Sequence, residues 1–158
     1  MDRPYVVGID IGGQSAKIGI VDTRGTVLSQ TAIKSNDTNS HVEFIENLCS
    51  AVEKLAEKAN IPMSKIRGIG IGAPNANYYT GTIENAVNLT FGGMKVIPFA
   101  DLMSERIGLP VRLTNDANAA AVGEMTYGAA RGMKNFITIT LGTGVGSGIV
   151  VGGYVLYG

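Results

Sequence analysis

The chain has 158 residues, 45% of them hydrophobic, which is the size of about one domain with an ordinary core. Its 13 Lys and Arg residues balance 13 Asp and Glu residues, which argues against both nucleic acid and a membrane surface as partners. The single cysteine, Cys49, excludes an internal disulfide and indicates a reducing compartment, so we expect a cytoplasmic location.

The first third of the chain is predicted to form a three-stranded antiparallel meander and one long helix. Three short runs rich in β-branched residues, 5–11, 16–21 and 26–33, are separated by glycine-containing turns, as in consecutive hairpins. Over residues 38–60, apolar side chains recur at three- and four-residue spacing, which is typical of an amphipathic helix with one buried face.

The remainder of the chain is predicted to alternate between strands and helices. Apolar runs indicate buried strands at 66–71, 111–113 and 136–141, and helices are expected at 98–107 and from 115 to about 127. Residues 75–97 show no periodic pattern and are expected to be irregular. This order predicts an α/β fold in which a mixed sheet, including the antiparallel three-strand meander, is flanked by helices.

The end of the chain repeats the pattern of its beginning. Residues 7–21 resemble residues 137–151 when the two are aligned without a gap. Each copy is a strand, a glycine turn and a second strand, as expected where two homologous lobes follow each other. We therefore predict a first lobe over residues 1–132 and the opening strands of an incomplete second lobe over residues 133–158, so the chain is expected to be part of a longer protein.

Two glycine-rich turns follow predicted strands, at residues 12–15 and 142–148. The P-loop pattern is excluded because the sequence has no Gly-Lys pair, and a dinucleotide fingerprint is disfavoured because strand-forming residues 149–151 follow where a helix should begin. The device that fits both turns is a hairpin whose successive backbone N–H groups bind phosphate oxygens, with glycines supplying positive φ angles and a lack of bulk. The candidate phosphate-binding residues are Asp10, Gly12, Gly13, Gln14, Ser15, Lys17, Gly142, Thr143, Gly144 and Gly146.

Asp10 ends the first predicted strand, beside one of these turns. A carboxylate there would repel bound phosphates unless a cation lay between them, which favours a Mg²⁺ ligand acting through water. The alternative is a local turn bond. Lys17 either neutralises phosphate charge or is simply an exposed strand residue.

Asp116 lies where a predicted strand runs into a predicted helix. Ligands of α/β proteins gather at the carboxyl ends of strands, and a helix N-terminus favours an ionised carboxylate. Such a carboxylate can accept the proton of a hydroxyl as its oxygen attacks a γ-phosphoryl group. The alternative is helix capping, although Asn115, Asp116 and Asn118 are more than one cap requires. The asparagine-rich stretch 75–88 suits a polyol site, or is an ordinary polar loop.

These segments together resemble the motifs of the ROK family of sugar kinases, within the actin, Hsp70 and hexokinase superfamily. Residues 10–17 look like the first phosphate motif of that family, and residues 141–148 look like its second. Residues 114–119 resemble its sugar-binding and catalytic-base motif, and residues 72–75 and 84–89 are similar to its sugar-side loops.

The resemblance implies an actin/hexokinase-like (ribonuclease H-like) lobe and ATP-dependent phosphorylation of a hexose, most often glucose to glucose 6-phosphate. It implies that Asp116 contacts the sugar as general base and that Asn75, Asn88 and Asn115 are sugar ligands. The two turns would hold the phosphates of ATP, with Mg²⁺ bound to Asp10 through water. The full-length protein would be a homo-oligomer, and a structural zinc would belong only to a C-terminal part beyond this chain.

Two positions depart from the family pattern: Gln14 stands where Thr is usual, and Asn75 where many members have Gly. The alternatives within the same family are an N-acetylhexosamine kinase and a non-catalytic sugar sensor or transcriptional regulator. Only nine residues precede Asp10, which argues against a DNA-binding domain ahead of it. Because catalysis by a two-lobed kinase requires closure around both substrates, the 158 residues alone are expected to be inactive.

Overall fold

The computed structural model describes residues 2–142 and 144–157. The first three strands, β1 (Tyr5–Ile11), β2 (Ser15–Val21) and β3 (Val27–Lys34), form an antiparallel meander, as predicted. Along β1 the side chains alternate: Val7, Ile9 and Ile11 are buried on one face, whereas Asp10 is exposed on the other. This alternation gives the sheet one face for the core and one face open to ligands.

The meander is extended into a five-stranded mixed sheet. In chain order the further elements are α1 (His41–Lys58), a 3-10 turn (Met63–Lys65), β4 (Ile66–Ala73), β5 (Ala76–Asn77), β6 (Thr82–Glu84), β7 (Val96–Ile97), α2 (Phe99–Ile107), β8 (Val111–Asn115), α3 (Asp116–Tyr127), β9 (Phe136–Leu141), β10 (Val145–Val151) and β11 (Tyr154–Val155). Strand β4 runs parallel to β1, and β8 runs parallel to β4, so the sheet order is β3-β2-β1-β4-β8. The predicted mixed sheet with its meander and flanking helices is confirmed. No helix in the described part of the chain combines the length and apolarity needed to span a bilayer.

Helix α1 packs its apolar stripe against one face of this sheet. The stripe includes Phe44, Leu48 and Val52, each 0% exposed. Phe44 also stacks on Phe91, with ring centroids 4.4 Å apart, so the loop after β6 is anchored in the same core. The spacing of apolar residues in α1 and their alternation in β1 therefore identify the two surfaces that meet.

Residues 75–97, which we expected to be irregular, contain a small second sheet in the order β5-β6-β7. Its strands have two or three residues each, which is too short for alternation to be visible in the sequence. Asn75 and Asn85 turn the chain around them with φ angles of 53° and 52°. Asparagine tolerates this left-handed conformation better than most residues, which explains its frequency here.

Strands β9, β10 and β11 form a separate antiparallel meander in the order β11-β10-β9. In this meander Thr140 pairs with Gly146, as Asp10 pairs with Lys17 in the first. The two copies of the repeat therefore also pair their strands in the same way. In this pairing, the second strand of the second hairpin is shifted by one residue relative to the gap-free sequence alignment.

Helix α3 lies against the second meander as well as against the first sheet. A Cβ on Gly148 would lie 2.5 Å from the carbonyl O of Ala117 and 2.6 Å from the Cβ of Ala121. Glycine at this position therefore allows β10 and α3 to pack in backbone contact.

Cys49 lies on the buried face of α1 and is 0% exposed. Burial raises the pKa of its thiol to about 11, so the thiol stays protonated as well as shielded near neutral pH. We expect a disulfide-exchange reagent to label Cys49 only after denaturant unfolds the chain, with the labelling followed by absorbance. Rapid labelling of the folded chain would contradict the burial of this helix face.

Candidate active site

Three strands and one helix meet at one edge of the five-stranded sheet. In its register Asp10 of β1 lies beside Gly72 of β4, and Gly72 lies beside Thr114 of β8. A Cβ on Gly72 would lie 3.6 Å from the Cα of Asp116, the first residue of α3. The backbones of Asp10 and Asp116 therefore flank Gly72 at the carboxyl ends of the strands, where ligands of α/β sheets bind.

Asp10 and Lys17 lie directly opposite each other on β1 and β2, and both are exposed. Their face of the sheet forms a wall of an open cleft of about 1010 Å³. Tyr78 and Tyr157 line the same cleft and stack with ring centroids 4.0 Å apart, and burial raises the pKa of Tyr157. A phosphate chain in this cleft would meet the carboxylate of Asp10 as well as the cations of Lys17 and Arg112. A cation between Asp10 and the phosphates would offset the repulsion between these two anions.

The exposed carboxylate of Asp10 fits a Mg²⁺ ion that is bound through water. Within the described residues, no three His, Cys, Asp or Glu side chains cluster as a protein-only metal cage would require. Mg²⁺ does not need such a cage, because it keeps several waters and uses one or two carboxylates together with substrate phosphates. The donor set at this edge is therefore suited to Mg²⁺ only when phosphates are bound.

The first phosphate turn is closed by its own backbone. The N–H of Gly12 donates to the carbonyl O of Ser15 at 2.9 Å, so this N–H is used within the turn, and the N–H groups of Gly13 and Gln14 at its tip are candidates for phosphate. Neither Gly12 nor Gly13 has a positive φ, so the expectation of left-handed glycines is wrong here. Gly13 is required for space, because a Cβ there would lie 2.9 Å from the carbonyl O of Asn88. Lack of bulk, and not backbone conformation, explains this glycine.

The second phosphate turn leads into β10, which packs on the start of α3. The N–H of Gly142 donates to the carbonyl O of Gly144 at 2.9 Å, and a Cβ on either glycine would meet nothing within 4 Å. A Cβ on Gly146 would lie 3.1 Å from the Cβ of Ala117, so Gly146 belongs to the packing of β10 on α3 and not to the turn. Thr143, the remaining residue predicted for this turn, lies outside the described residues.

At the start of α3, helix capping and the candidate general base belong to neighbouring residues. The N–H of Ala117 donates to Oδ1 of Asn115 and to Oδ1 of Asp116, both at 2.9 Å. Asn115 is the N-cap, so helix capping applies to this residue. Asp116 follows as the first helical residue, with an exposed side chain. The same short segment therefore places an amide and a carboxylate at the sheet edge.

A polar cavity of about 580 Å³ lies between the small sheet, the start of α3 and β10. Asn75 and Asn115, both predicted to bind sugar, line it together. Asn88 and Asp116 do not line it: Asn88 contacts the first phosphate turn, and Asp116 lies at the sheet edge. The structure therefore distributes the predicted sugar ligands over three places: the cavity, the first phosphate turn and the sheet edge.

Five further polar residues line this cavity that we did not predict as ligands. They are Asn77, Glu84, Asn85, Asn118 and Ser147. All except Asn77 lie within a segment that carries the family resemblance, and Asn77 lies in the asparagine-rich stretch. The signal available in the sequence was therefore the concentration of amides and not any single position.

Asn75 is held by its own loop. Its amide nitrogen donates to the carbonyl O of Glu84 at 3.0 Å and to that of Asn85 at 3.1 Å. Since both hydrogens of the amide are used, Asn75 can offer a ligand its oxygen as an acceptor. Oε1 of Glu84 accepts from Nδ2 of Asn77 at 3.2 Å and from Oγ1 of Thr82 at 2.6 Å, which fixes this carboxylate in the wall of the cavity.

Comparison with known proteins identifies relatives of this chain. The chain is 40% identical over 158 residues to a glucokinase of Halalkalibacterium halodurans, a match covering 99% of this chain and 47% of that protein. It is 29% identical over 154 residues to a putative xylose repressor of a Caldicellulosiruptor species, covering 97% of this chain and 38% of that protein. The chain spans about half the length, or less, of the curated relatives it matches.

Comparison with solved structures also finds a glucokinase. The ROK family glucokinase from Streptomyces griseus, in complex with glucose and AMPPNP, matches with a TM-score of 0.81 at 35% identity, over 98% of this chain and 46% of that chain. The mixed α/β lobe therefore has the actin/hexokinase-like fold of the ROK glucokinases. Since a model described as the ROK family matches residues 6–158, nearly the whole sequence, the chain belongs to the ROK family.

Proposed function

We propose that this chain is part of an ATP-dependent hexose kinase that converts glucose to glucose 6-phosphate. The observation that carries the proposal is the meeting of Asp10, Gly72 and Asp116 at one sheet edge, where β10, the strand after the second glycine turn, packs on the start of α3 through Gly146. Two comparisons support the choice of substrates: the 40% identical relative is a glucokinase, and the Streptomyces griseus structure contains glucose and AMPPNP.

The residues at this edge have distinct roles in the proposed reaction. The carboxylate of Asp116 accepts the proton of the attacking sugar hydroxyl. Asn75 and Asn115 bind other hydroxyls of the sugar from the polar cavity, and Asn88 binds the sugar from the side of the first phosphate turn. Lys17 and the N–H groups of the two turns stabilise the charge on the phosphates.

Asp10 would hold Mg²⁺ through water at the phosphates. When bound, the ion neutralises phosphate charge during transfer. Asp10 would orient the waters of the ion, because its exposed carboxylate lies at the strand end between Lys17 and Gly72.

We also propose that residues 133–158 open a second lobe. On the outer face of β9, Ile139 is 64% exposed and Leu141 is 80% exposed. By strand pairing these positions correspond to Ile9 and Ile11 of β1, which are 4% and 1% exposed in the core under α1. A helix equivalent to α1 is therefore expected to cover the second meander in the whole protein, in the half of the relatives' length that this chain does not span.

Substrate choice is tested on the whole protein, with ADP formation measured by a coupled assay. We expect the highest kcat/KM with glucose among glucose, mannose, fructose, N-acetylglucosamine and N-acetylmannosamine. A preference for an N-acetylhexosamine would show that the substrate is an N-acetylhexosamine and not glucose. Sugar binding without turnover of any hexose would contradict a kinase and favour a regulator, the class to which the xylose repressor relative belongs.

The 158-residue chain alone, in the same assay, is expected to stay far below the roughly 1–100 turnovers per second typical of kinases, because it would lack the second lobe. Turnover within that range would contradict the proposed two-lobe organisation.

We further propose that the whole protein acts in the cytoplasm as a homo-oligomer. The free, buried thiol of Cys49 suits a reducing compartment, and ATP is the phosphoryl donor of the proposed reaction. Sedimentation of the whole protein tests the oligomeric state.

A further inference from the structure

Ser35 connects the first phosphate turn to the interior of the lobe. It follows β3, is 0% exposed, and is the one fully buried polar residue in the described part of the chain. Its hydroxyl donates to the carbonyl O of Gly12 at 2.6 Å, and its backbone N–H donates to the carbonyl O of Gln14 at 3.1 Å. The two ends of the turn are thus bonded to a single residue.

The hydroxyl bond fixes the orientation of the peptide between Gly12 and Gly13. In a trans peptide the C=O and N–H groups point in opposite directions, and the described chain has no cis peptide bond. Since the carbonyl of Gly12 is directed at buried Ser35, the N–H of Gly13 points away from the interior. This N–H is one of the candidates for binding phosphate.

Ser35 also connects the turn to the segment that carries Asn88. The hydroxyl of Thr90 lies 3.2 Å from the carbonyl O of Ser35 and 2.8 Å from that of Thr38, so its hydrogen is shared between these two acceptors. The backbone of Asn88 contacts the turn directly, as the 2.9 Å between its carbonyl O and a Cβ on Gly13 indicates. Ser35 and Thr90 therefore connect the phosphate turn to the segment that carries a predicted sugar ligand.

We propose that Ser35 is a positioning residue, which presents the N–H of Gly13 to the phosphate tail of ATP, and that Thr90 holds Ser35 at a fixed distance from the sugar-side segment. This inference rests on the proposed function. Ser35 contacts neither substrate, and it acts through the turn that it holds.

The test is the affinity of the whole protein for ATP and for glucose, each measured by calorimetric titration. We expect Ser35→Ala to weaken ATP binding about 3- to 10-fold, the equivalent of one hydrogen bond, and to leave glucose binding unchanged. In steady-state kinetics KM for ATP should rise more than kcat falls. Ser35→Thr keeps the hydroxyl and should recover most of the lost affinity.

Ser104→Ala is the matched control. Its hydroxyl also donates to a backbone carbonyl, that of Leu109 at 2.8 Å, but at the C-terminal end of α2. We expect this variant to lose some thermal stability and to keep the ATP affinity of the wild type. Equal losses of ATP affinity in Ser35→Ala and Ser104→Ala would show general destabilisation and overturn the proposal.

Thr90 supplies a second test should Ser35→Ala fail to fold, because its side chain is exposed. Thr90→Val should weaken ATP binding about 2- to 5-fold, and Thr90→Ser should restore it. Unchanged ATP affinity in the variants, with normal binding by the wild type, would overturn the positioning role alone. Absence of ATP binding by the wild-type protein would overturn the proposed function, and this inference with it.

Discussion

Replacing Asp116 with asparagine is expected to lower kcat of the whole protein by about 10²- to 10⁴-fold, the usual cost of losing a general base. Asparagine has almost the same shape, but its amide cannot accept the proton that the sugar hydroxyl releases. The bond from the Ala117 N–H can persist to the amide oxygen, so α3 should begin as in the wild type. The coupled assay gives kcat, and titration should show a glucose Kd close to that of the wild type.

Asp101→Asn is the matched control for this variant. Asp101 is likewise an exposed acid in the first turn of a helix, α2, and its substitution should leave kcat unchanged. Undiminished turnover in Asp116→Asn would remove Asp116 from the chemistry. A regulator of the same family would instead keep its sugar-dependent behaviour in this variant.

Gly148→Ala is expected to lower the free energy of unfolding by about 1–3 kcal/mol, the usual cost of overpacking. The added Cβ would lie 2.5 Å from the carbonyl O of Ala117, which is backbone and cannot rotate aside. Strand β10 must then move away from α3, and the start of α3 carries Asp116. Urea unfolding measures the loss, and we expect kcat of the whole protein to fall as well.

Gly123→Ala, within α3 itself, is expected to have the opposite effect on stability. A Cβ on Gly123 meets nothing within 4 Å, and alanine should stabilise α3 by about 0.5–1 kcal/mol through its better helix propensity. Equal unfolding midpoints for the two variants would mean that β10 is not held against α3.

The parts of the fold that were predictable from sequence are those in which side-chain spacing reports burial. Phe44, Leu48 and Val52 recur at helical spacing, and Ile9 and Ile11 alternate along a strand, so α1 and β1 follow from local pattern. The small sheet within residues 75–97 has no such pattern. It is held by bonds between distant residues, for example from the amide of Asn75 to the carbonyl O of Glu84.

The candidate site was predictable where the type of a residue indicates its chemistry. It was not predictable where a role depends on a contact between residues that are distant in the sequence. The positions of Asn75 and Asn115 in one polar cavity agree with an interpretation based on amides. Ser35 gave no signal, because its importance comes from a bond to Gly12, 23 positions earlier. Gly146 was assigned to phosphate by its place in a motif, whereas its closeness to Ala117 depends on how α3 packs.

The two hairpins differ at one equivalent position. Lys17 and Gly146 have the same place in strand pairing, but Lys17 is exposed, whereas a side chain at Gly146 would be crowded by Thr140 and Ala117. If the two hairpins bind phosphates as proposed, the first offers an ammonium group that the second cannot offer at the equivalent position. The two copies of the repeat are therefore expected to carry unequal shares of the charge neutralisation.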